Sequence, residues 1–315
     1  MSLPATSSGP DTPTESINDT STSPINSTNF SSSETAPAST AFITGEEMFG
    51  QFQRGERMTI IDSHWAKTEN SAWEAYVGQH IPGAMFCNPL THLASLPTRH
   101  EGRNPLPRRE DLERMLADWG VMNDRPVYIY DAGPNLYAAR AWWILRWAGV
   151  DDVRILNGGT KEWEKAGGDV AGGIGGLRGR GNMEFKPGSM PELLIDEVEE
   201  WKRHNLLIDA REPERFKGQR EPFDHQAGRI PGAINIPVTE LMNAEGKIES
   251  PSRLREYLAS RGITHGENVA VYSGSGLHSS LFIAAMEHAG LHGARNFIGG
   301  WSQWSARIDL PIERG

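Results

Sequence analysis

The chain repeats a set of short landmarks, and this repeat constrains its fold more than any other feature. Four segments of the first half recur in the same order in the second half, 141 to 149 residues later. The matched segments are 59–62 with 206–209, 80–86 with 229–235, 129–132 with 271–274, and 155–163 with 296–304. An ordered set at a nearly constant offset indicates two copies of one domain. Short apolar runs alternate with helical patterns in each copy, so we predict tandem α/β domains, each a mostly parallel sheet flanked by helices.

Two segments of biased composition delimit the copies. Residues 1–40 contain 24 Ser, Thr or Pro and no Lys or Arg. Such a segment cannot bury enough apolar surface to offset the entropy lost on ordering, so we predict a disordered tail. It has neither the basic start nor the apolar core of a signal peptide. Residues 167–190 are rich in glycine and predict a linker, which leaves 41–166 as the first domain and 191–315 as the second.

The overall composition argues against several classes of function. The net charge of −10 disfavours nucleic acid and anionic membranes as partners. No apolar stretch approaches the roughly 20 residues that span a bilayer. Cys87 is the single cysteine, so the chain has neither an intrachain disulfide nor a cysteine cluster for zinc, and we expect a cytoplasmic protein. We interpret Cys87, which follows a predicted strand, as a small buried apolar side chain.

One segment of the second copy has the pattern of an anion-binding site. The run 269–272 is typical of a buried strand, residues 273–276 form a glycine-rich turn, and the apolar run 281–286 is typical of a helix. Glycines in such a turn allow several backbone N–H groups to face one point, and the positive end of the helix dipole adds to them. Ligands of parallel α/β sheets bind where strands end and helices begin. We therefore predict an anion cradle with Ser273 at its mouth.

The ordered landmarks resemble those of the rhodanese superfamily, specifically the tandem-domain sulfurtransferases, over about residues 41–315. The segments that carry the resemblance are 62–65, 80–84, 141–143, 156–159, 209–211, 229–233 and the loop that begins at Ser273. The resemblance implies two rhodanese folds, the first inert and the second with the active loop, and Asp131 of the first copy matches Ser273. It also implies a thiosulfate or 3-mercaptopyruvate sulfurtransferase. Such a protein moves sulfane sulfur from a small sulfur-containing anion to a thiophilic acceptor, a small thiol or a thiol protein, without a metal or organic cofactor.

The resemblance further implies roles for individual residues. Active members of the family begin the loop with a cysteine, and Ser273 stands at that position. The family's loop arginine matches Arg215, while Asp224 stands where mercaptopyruvate enzymes carry a second arginine. Two interpretations of Arg215 remain open: it orients the substrate, or it forms a surface ion pair with Glu212 or Glu214. The residues assigned to substrate binding are Gly274, Ser275, Gly276, Leu277, His278 and Arg211.

The chemistry of Ser273 limits what this loop can do. A thiolate can attack a sulfane sulfur and hold it as a persulfide, whereas a serine hydroxyl stays protonated at neutral pH and needs an adjacent base. We therefore expect weak or absent sulfur transfer. The alternative is a non-catalytic module that binds a sulfur-containing anion or a protein partner. A third hypothesis is a hydrolase with Ser273 as nucleophile and His278 or His225 as base. The serine is either a natural replacement or an engineered one.

Overall fold

The structure, a computed structural model, describes residues 40–176 and 179–315. The predicted tail lies outside the described residues apart from its last residue, Thr40, and so do residues 177–178 of the predicted linker. Two parallel sheets organise the described ranges, one before the linker and one after it. Within these ranges, no helix is long and apolar enough to cross a membrane.

Before the linker, five described strands form a parallel sheet in the order β1-β5-β4-β2-β3. The strands are β1 (Phe42–Ile43), β2 (Thr59–Ser63), β3 (Met85–Cys87), β4 (Val127–Tyr130) and β5 (Val153–Leu156). The helices around them are α1 (Gly45–Gln53), α2 (Glu69–Gly78), α3 (Arg109–Asp118), α4 (Leu136–Trp147) and α5 (Thr160–Lys165). Helices connect the strands because neighbours that run in the same direction need a crossover.

After the linker, four described strands form a second parallel sheet in the order β7-β6-β8-β9. The strands are β6 (Leu206–Asp209), β7 (Ile234–Asn235), β8 (Val269–Tyr272) and β9 (Arg295–Phe297). The helices are α6 (Val198–Trp201), α7 (Pro213–Phe216), α8 (Pro251–Ser260), α9 (Leu277–His288) and α10 (Gly300–Trp304), with short 3₁₀ turns at Ile195–Glu197 and Val238–Leu241. The predicted fold class, two α/β domains with parallel sheets flanked by helices, is confirmed.

Two helices, α4 and α9, join the halves. Each is apolar on nearly every side, as expected of a helix in a protein interior, and the two pack against each other. Trp143 of α4 and Phe282 of α9 belong to one continuous apolar core, which also contains Ile129 of β4 and Val271 of β8. The loop that precedes each of these helices therefore lies at the boundary between the two halves.

The described part of the predicted linker follows the surface of the first half. Ala171 pairs with His80, and the N–H of Gly176 donates to the Ala84 carbonyl over 2.9 Å. Further on, the N–H of Lys186 donates to the carbonyl of Ala148 over 2.8 Å. Backbone hydrogen bonds to a folded surface thus replace regular secondary structure in this glycine-rich segment.

Candidate active site

Ser273 begins the loop between β8 and α9 and is fully buried. Its hydroxyl accepts the N–H of Gly276 over 3.2 Å and donates to the hydroxyl of Ser279 over 3.4 Å. Gly276 has a φ of +85°, and a Cβ there would lie 2.9 Å from the carbonyl oxygen of Ile298. The turn therefore requires glycine at this position.

The backbone N–H groups of this loop form a cluster of free donors. Across the described ranges, the N–H groups of Gly274, Ser275, Leu277 and His278 donate to no protein acceptor. Leu277 and His278 begin α9, a helix of 12 residues whose first N–H groups have no partner within the helix. Buried donors without acceptors cost free energy, and the helix dipole adds positive potential. The loop is therefore suited to a small anion.

Two guanidinium groups, one from each half of the chain, lie against Gly274. A Cβ built on Gly274 would be 3.0 Å from Nη2 of Arg103 and 3.2 Å from Nη1 of Arg215. Arg215 is on α7 in the second half and is buried, whereas Arg103 lies before α3 in the first half and is partly exposed. The mouth of the loop therefore combines free N–H groups with two guanidinium cations.

Carboxylates balance these cations. Nη2 of Arg215 lies 2.8 Å from Oε1 of Glu221 and 3.1 Å from Oδ2 of Asp224. The other oxygen of Asp224 bonds to Nη1 of Arg103. In the structure, the carboxylate partners of Arg215 are thus Glu221 and Asp224, and the sequence-based alternative of a surface ion pair with Glu212 or Glu214 is not what is observed.

Arg211 lies deeper than Arg215, and its donors are committed to the protein. Its Nη2 donates to Oδ2 of Asp209 over 2.6 Å and to the Gly228 carbonyl over 2.7 Å, and Nη1 lies 3.3 Å from Oε2 of Glu221. The guanidinium also stacks 4.7 Å from the ring of Trp301. Arg211 therefore anchors Glu221, which in turn holds Arg215.

The charge state of these arginines follows from their surroundings. Burial lowers the pKa of Arg103 to about 10, and the nearby Arg215 cation acts in the same direction. Burial alone would lower the pKa of Arg211, but the Asp209 carboxylate outweighs it and raises that pKa overall. Both side chains are therefore cationic at neutral pH.

The first half supplies further contacts to the loop. Nδ2 of Asn104 donates to the Ser275 hydroxyl over 3.0 Å, and the N–H of Arg103 donates to the Ser302 hydroxyl over 3.1 Å. Arg140 of α4 lies behind them: its Nη2 donates to three backbone carbonyls, while its Nε and Nη1 are buried without a partner in the described structure. Burial lowers the pKa of Arg140 to about 9. Sequence reasoning missed all of these contacts, because nothing local marks residues that lie some 130 to 170 positions before the loop.

The matching loop of the first half is filled by its own side chain. Oδ1 of Asp131 accepts the N–H groups of Gly133 and Asn135 over 2.7 and 3.0 Å, and Oδ2 accepts those of Tyr137 and Ala138 over 3.0 and 3.1 Å. Burial raises the pKa of Asp131, and these four donors oppose the shift. A carboxylate therefore occupies the centre of the first loop.

Among the residues that the structure describes, no general base is in contact with Ser273. Within the described ranges its hydroxyl has two hydrogen-bond partners, the Gly276 N–H and the Ser279 hydroxyl. Nε2 of His278 instead lies 3.9 Å from Oε1 of Glu212, and burial lowers the pKa of this histidine. His225 is exposed, beside Asp224 in the chain. The structure thus places neither candidate base on the serine.

Cys87 lies in β3 of the other sheet, fully buried, and burial raises the pKa of its thiol. Cys87 therefore acts as a small buried apolar side chain of the core, as its position after an apolar run in the sequence indicates. In the described part of the chain, no group of three or more His, Cys, Asp or Glu side chains could hold a metal ion.

Comparison with known proteins matches both halves separately. The family model for the rhodanese-like domain matches residues 51–166 and 190–307. The "Putative thiosulfate sulfurtransferase SseB" of Mycobacterium tuberculosis is 36% identical over 284 residues, which cover 87% of this chain and 96% of that protein. The "Probable 3-mercaptopyruvate sulfurtransferase" of Pseudomonas aeruginosa is 33% identical over 288 residues, with 88% and 99% covered. The similarity thus extends through both sheets and the loops that join them.

A solved structure supports the same architecture. The 3-mercaptopyruvate sulfurtransferase from Leishmania major superposes with a TM-score of 0.77 and covers 88% of this chain and 77% of that one. Its sequence identity to this chain is 24%, so the likeness concerns the fold.

Proposed function

Since this chain belongs to the family of rhodanese-like proteins and is homologous to sulfurtransferases, we propose that residues 273–278 form its sulfur-anion site. In this proposal Ser273 replaces the persulfide-forming cysteine, so transfer of sulfane sulfur is weak or absent. The donor is thiosulfate or 3-mercaptopyruvate. The acceptor is a thiophile, either a small thiol or a thiol protein, and a reducing compartment such as the cytoplasm provides both.

One observation carries the proposal: the free N–H groups of the loop lie beside two guanidinium groups. Arg215 and Arg103 lie about 3 Å from the position of a Cβ on Gly274, next to N–H groups without acceptors. Thiosulfate carries a sulfonate-like group and 3-mercaptopyruvate a carboxylate, and arginine binds both as a planar pair of donors. Arg215 orients the acid group, Arg211 positions Arg215 through Glu221, and the donor's outer sulfur faces residue 273.

The residue at position 273 decides whether binding leads to transfer. With a cysteine, the thiolate attacks the outer sulfur of thiosulfate, the S–S bond breaks, and sulfite leaves with the electron pair. Cyanide then attacks the persulfide, takes the sulfur as thiocyanate and releases the thiolate. The hydroxyl of Ser273 contacts no base among the described residues that could remove its proton, so it is a weak nucleophile. The helix N-terminus and free N–H groups that would stabilise a thiolate remain in place.

The absence of a base on Ser273 within the described structure favours a second candidate function. A loop that keeps its free donors and lacks an effective nucleophile can bind a sulfur-containing anion, or a partner that carries one, without turnover. The same absence weakens the hydrolase hypothesis, because a serine nucleophile needs a base within hydrogen-bond reach. The two candidates therefore differ in what a cysteine at position 273 restores: transfer under the first, and binding without transfer under the second.

The test is sulfur transfer to cyanide by the protein, by Ser273→Cys and by Ser273→Ala. Thiosulfate and 3-mercaptopyruvate serve as donors in parallel. We expect background rates for the serine and alanine forms and at least about a 100-fold gain for the cysteine form, because only a thiolate forms the persulfide. The donor with the higher kcat/KM identifies the substrate branch.

Transfer by the serine protein above the rate of Ser273→Ala would contradict the chemical argument. If Ser273→Cys is inactive while the protein binds thiosulfate in calorimetry, the non-catalytic binding module becomes the better description.

A further inference from the structure

Asp224 bridges the two arginines at the mouth of the loop. Its Oδ2 lies 3.1 Å from Nη2 of Arg215, and its Oδ1 bonds to Nη1 of Arg103. The carboxylate is 2% exposed although it lies in a loop outside any helix or strand. Each oxygen of the carboxylate thus binds a different guanidinium group. The acid group of a ligand could bridge the two arginines in the same way.

We propose that Asp224 is an internal competitor for the ligand of this site. Its carboxylate takes the place of a ligand's acid group between Arg103 and Arg215, so a small oxyanion binds only by displacing it. This inference rests on the proposed function for the identity of the loop as an anion site. It adds two points to that function. One of the two ligand-binding cations, Arg103, comes from the first half, and the Asp224 carboxylate limits the affinity for the ligand.

The balance of charge around the site supports a competitor. The cations of Arg103, Arg211 and Arg215 pair with the carboxylates of Asp209, Glu221 and Asp224, and Arg140 adds a further cation behind the loop. At the mouth of the loop, Asp224 and Glu221 thus already neutralise the charges of Arg103 and Arg215, and a dianion such as thiosulfate competes with these carboxylates. When Asp224 moves away, the site gains one positive charge, and two guanidinium groups are released beside the free N–H groups of the loop.

Part of the site keeps its contacts without the Asp224 side chain. Glu221 binds both Arg211 and Arg215, so these two arginines keep a carboxylate partner when the Asp224 side chain leaves. Oε1 of Glu221 also accepts the backbone N–H groups of Phe223 and Asp224, over 3.2 and 3.3 Å. Displacement therefore needs a turn of the Asp224 side chain away from the two guanidinium groups, while the backbone of residues 223–224 stays bound to Glu221.

The surroundings of Asp224 leave room for that movement. The ring of Phe223, 68% exposed, lies 5.5 Å from the Arg103 guanidinium and 5.4 Å from that of Arg215. A cleft of about 260 Å³ adjoins these residues and is lined by Arg103, Phe223, Asp224, His225 and Ser302, among others. The exposed ring and the adjoining cleft leave space into which the Asp224 side chain can turn.

The experiment measures thiosulfate binding by calorimetry to the serine protein and to Asp224→Asn, which removes the charge and keeps the shape. We expect the Kd to fall at least about tenfold, since the ligand no longer competes with a carboxylate. Asp224→Ser should show the same gain. Adding Arg103→Gln to Asp224→Asn should remove most of it, because Arg103 is one of the two released cations.

Asp309→Asn is the matched control, because Asp309 pairs with Arg307 on the surface, 60% exposed. It should leave the Kd unchanged, and melting curves of each variant show that it is folded. An unchanged or weaker Kd in both folded Asp224 variants overturns the proposal.

Kinetics in the Ser273→Cys background separate this inference from the proposed function. Adding Asp224→Asn should lower the KM for thiosulfate about tenfold and change kcat little, as expected for a group that competes with ligand binding. If Ser273→Cys is inactive but Asp224→Asn binds thiosulfate more tightly, the transfer function fails and the role of Asp224 stands. If Ser273→Cys is active and Asp224→Asn changes neither Kd nor KM, the role of Asp224 fails and the transfer function stands.

Discussion

The loops at Asp131 and Ser273 occupy the same place in the two halves, yet their N–H donors are used differently. Four N–H groups of the first loop, between Gly133 and Ala138, bind the two oxygens of Asp131. In the second loop, Ser273 accepts one N–H, that of Gly276, and several others have no acceptor among the described residues. A strand, a tight turn and a helix thus create an anion cradle in both halves. The carboxylate of Asp131 fills the first cradle, whereas the shorter hydroxyl of Ser273 leaves most N–H groups of the second cradle free.

The halves also differ in what covers each loop. Beside the first loop, Asn157 and Ile248 of the opposite half exchange two hydrogen bonds of 2.9 Å. Beside the second loop, Arg103 and Asn104 of the opposite half bring a guanidinium and an amide to the mouth. The contact at the first loop ties the halves together, whereas the contact at the second also delivers a positive charge. The two copies have therefore kept the same mutual packing while one of them holds the features of a ligand site.

The largest expected effect concerns stability. Asp131→Ala leaves four buried or half-buried N–H groups without an acceptor and should lower the free energy of unfolding by about 2–4 kcal/mol. Ser273→Ala removes a single N–H bond of 3.2 Å and should cost about 1 kcal/mol or less. Denaturant unfolding of both variants, followed by tryptophan fluorescence, gives the comparison.

Asp131→Asn is the control, because it keeps one acceptor oxygen and should fall between the other two. Equal losses for Asp131→Ala and Ser273→Ala would show that the first cradle is not held by its carboxylate.

A second, smaller effect separates the loops by ligand. Thiosulfate at ten times its Kd should slow hydrogen exchange about tenfold in peptides that contain residues 274–279, because only the unbound fraction exchanges. Peptides that contain residues 132–138 should be unaffected, since Asp131 already binds those N–H groups. Arg215→Gln serves as the control and should abolish the protection. If thiosulfate slowed hydrogen exchange in the peptides of both loops, the first loop would not be filled by Asp131 as described.

The local sequence pattern predicts those parts of the site whose residues are neighbours in the sequence, from β8 to α9. The strand, turn and helix around Ser273 follow from β-branched residues, two glycines and an apolar run, and all three elements are present. Arg103 and Asn104 could not be predicted in this way. They reach the loop through the packing of α4 on α9, and no periodicity or motif encodes contacts across 170 residues.

Boundaries of elements were set by capping details that apolar periodicity does not reveal. The buried residues of α2 begin at Ala72, but the helix begins at Glu69 because the hydroxyl of Thr68 accepts the N–H of Ser71 and forms a capping box. Similarly, α4 begins at Leu136, directly after Asn135, which has a φ of +68°. Arg215 is held by Glu221 and Asp224, six and nine residues further along the chain, and the local sequence pattern leaves its role open for that reason.

The smallest expected effect is a difference in pH dependence between one histidine of each half. The Asp62 carboxylate, whose Oδ1 lies 3.6 Å from Nδ1 of His64, raises the pKa of His64 in spite of partial burial. This pair therefore stabilises the fold below about pH 6.5, and the stabilisation is lost as pH rises through the raised pKa. Burial lowers the pKa of His278; the charge of Arg215 acts in the same direction, and Glu212 opposes it. His278 therefore costs stability as pH falls below 6.5, because the unfolded chain binds the proton more readily.

The free energy of unfolding of His64→Asn and His278→Asn, measured at pH 5.5 and pH 8, tests this contrast. His64→Asn should be more destabilising at pH 5.5 than at pH 8, by less than about 1 kcal/mol because the pair is partly exposed. His278→Asn should show the opposite trend, with its relative stability improving at pH 5.5. Trends of the same sign would mean that the two histidines share one kind of environment. The difference between the two halves would then be limited to the loops at Asp131 and Ser273.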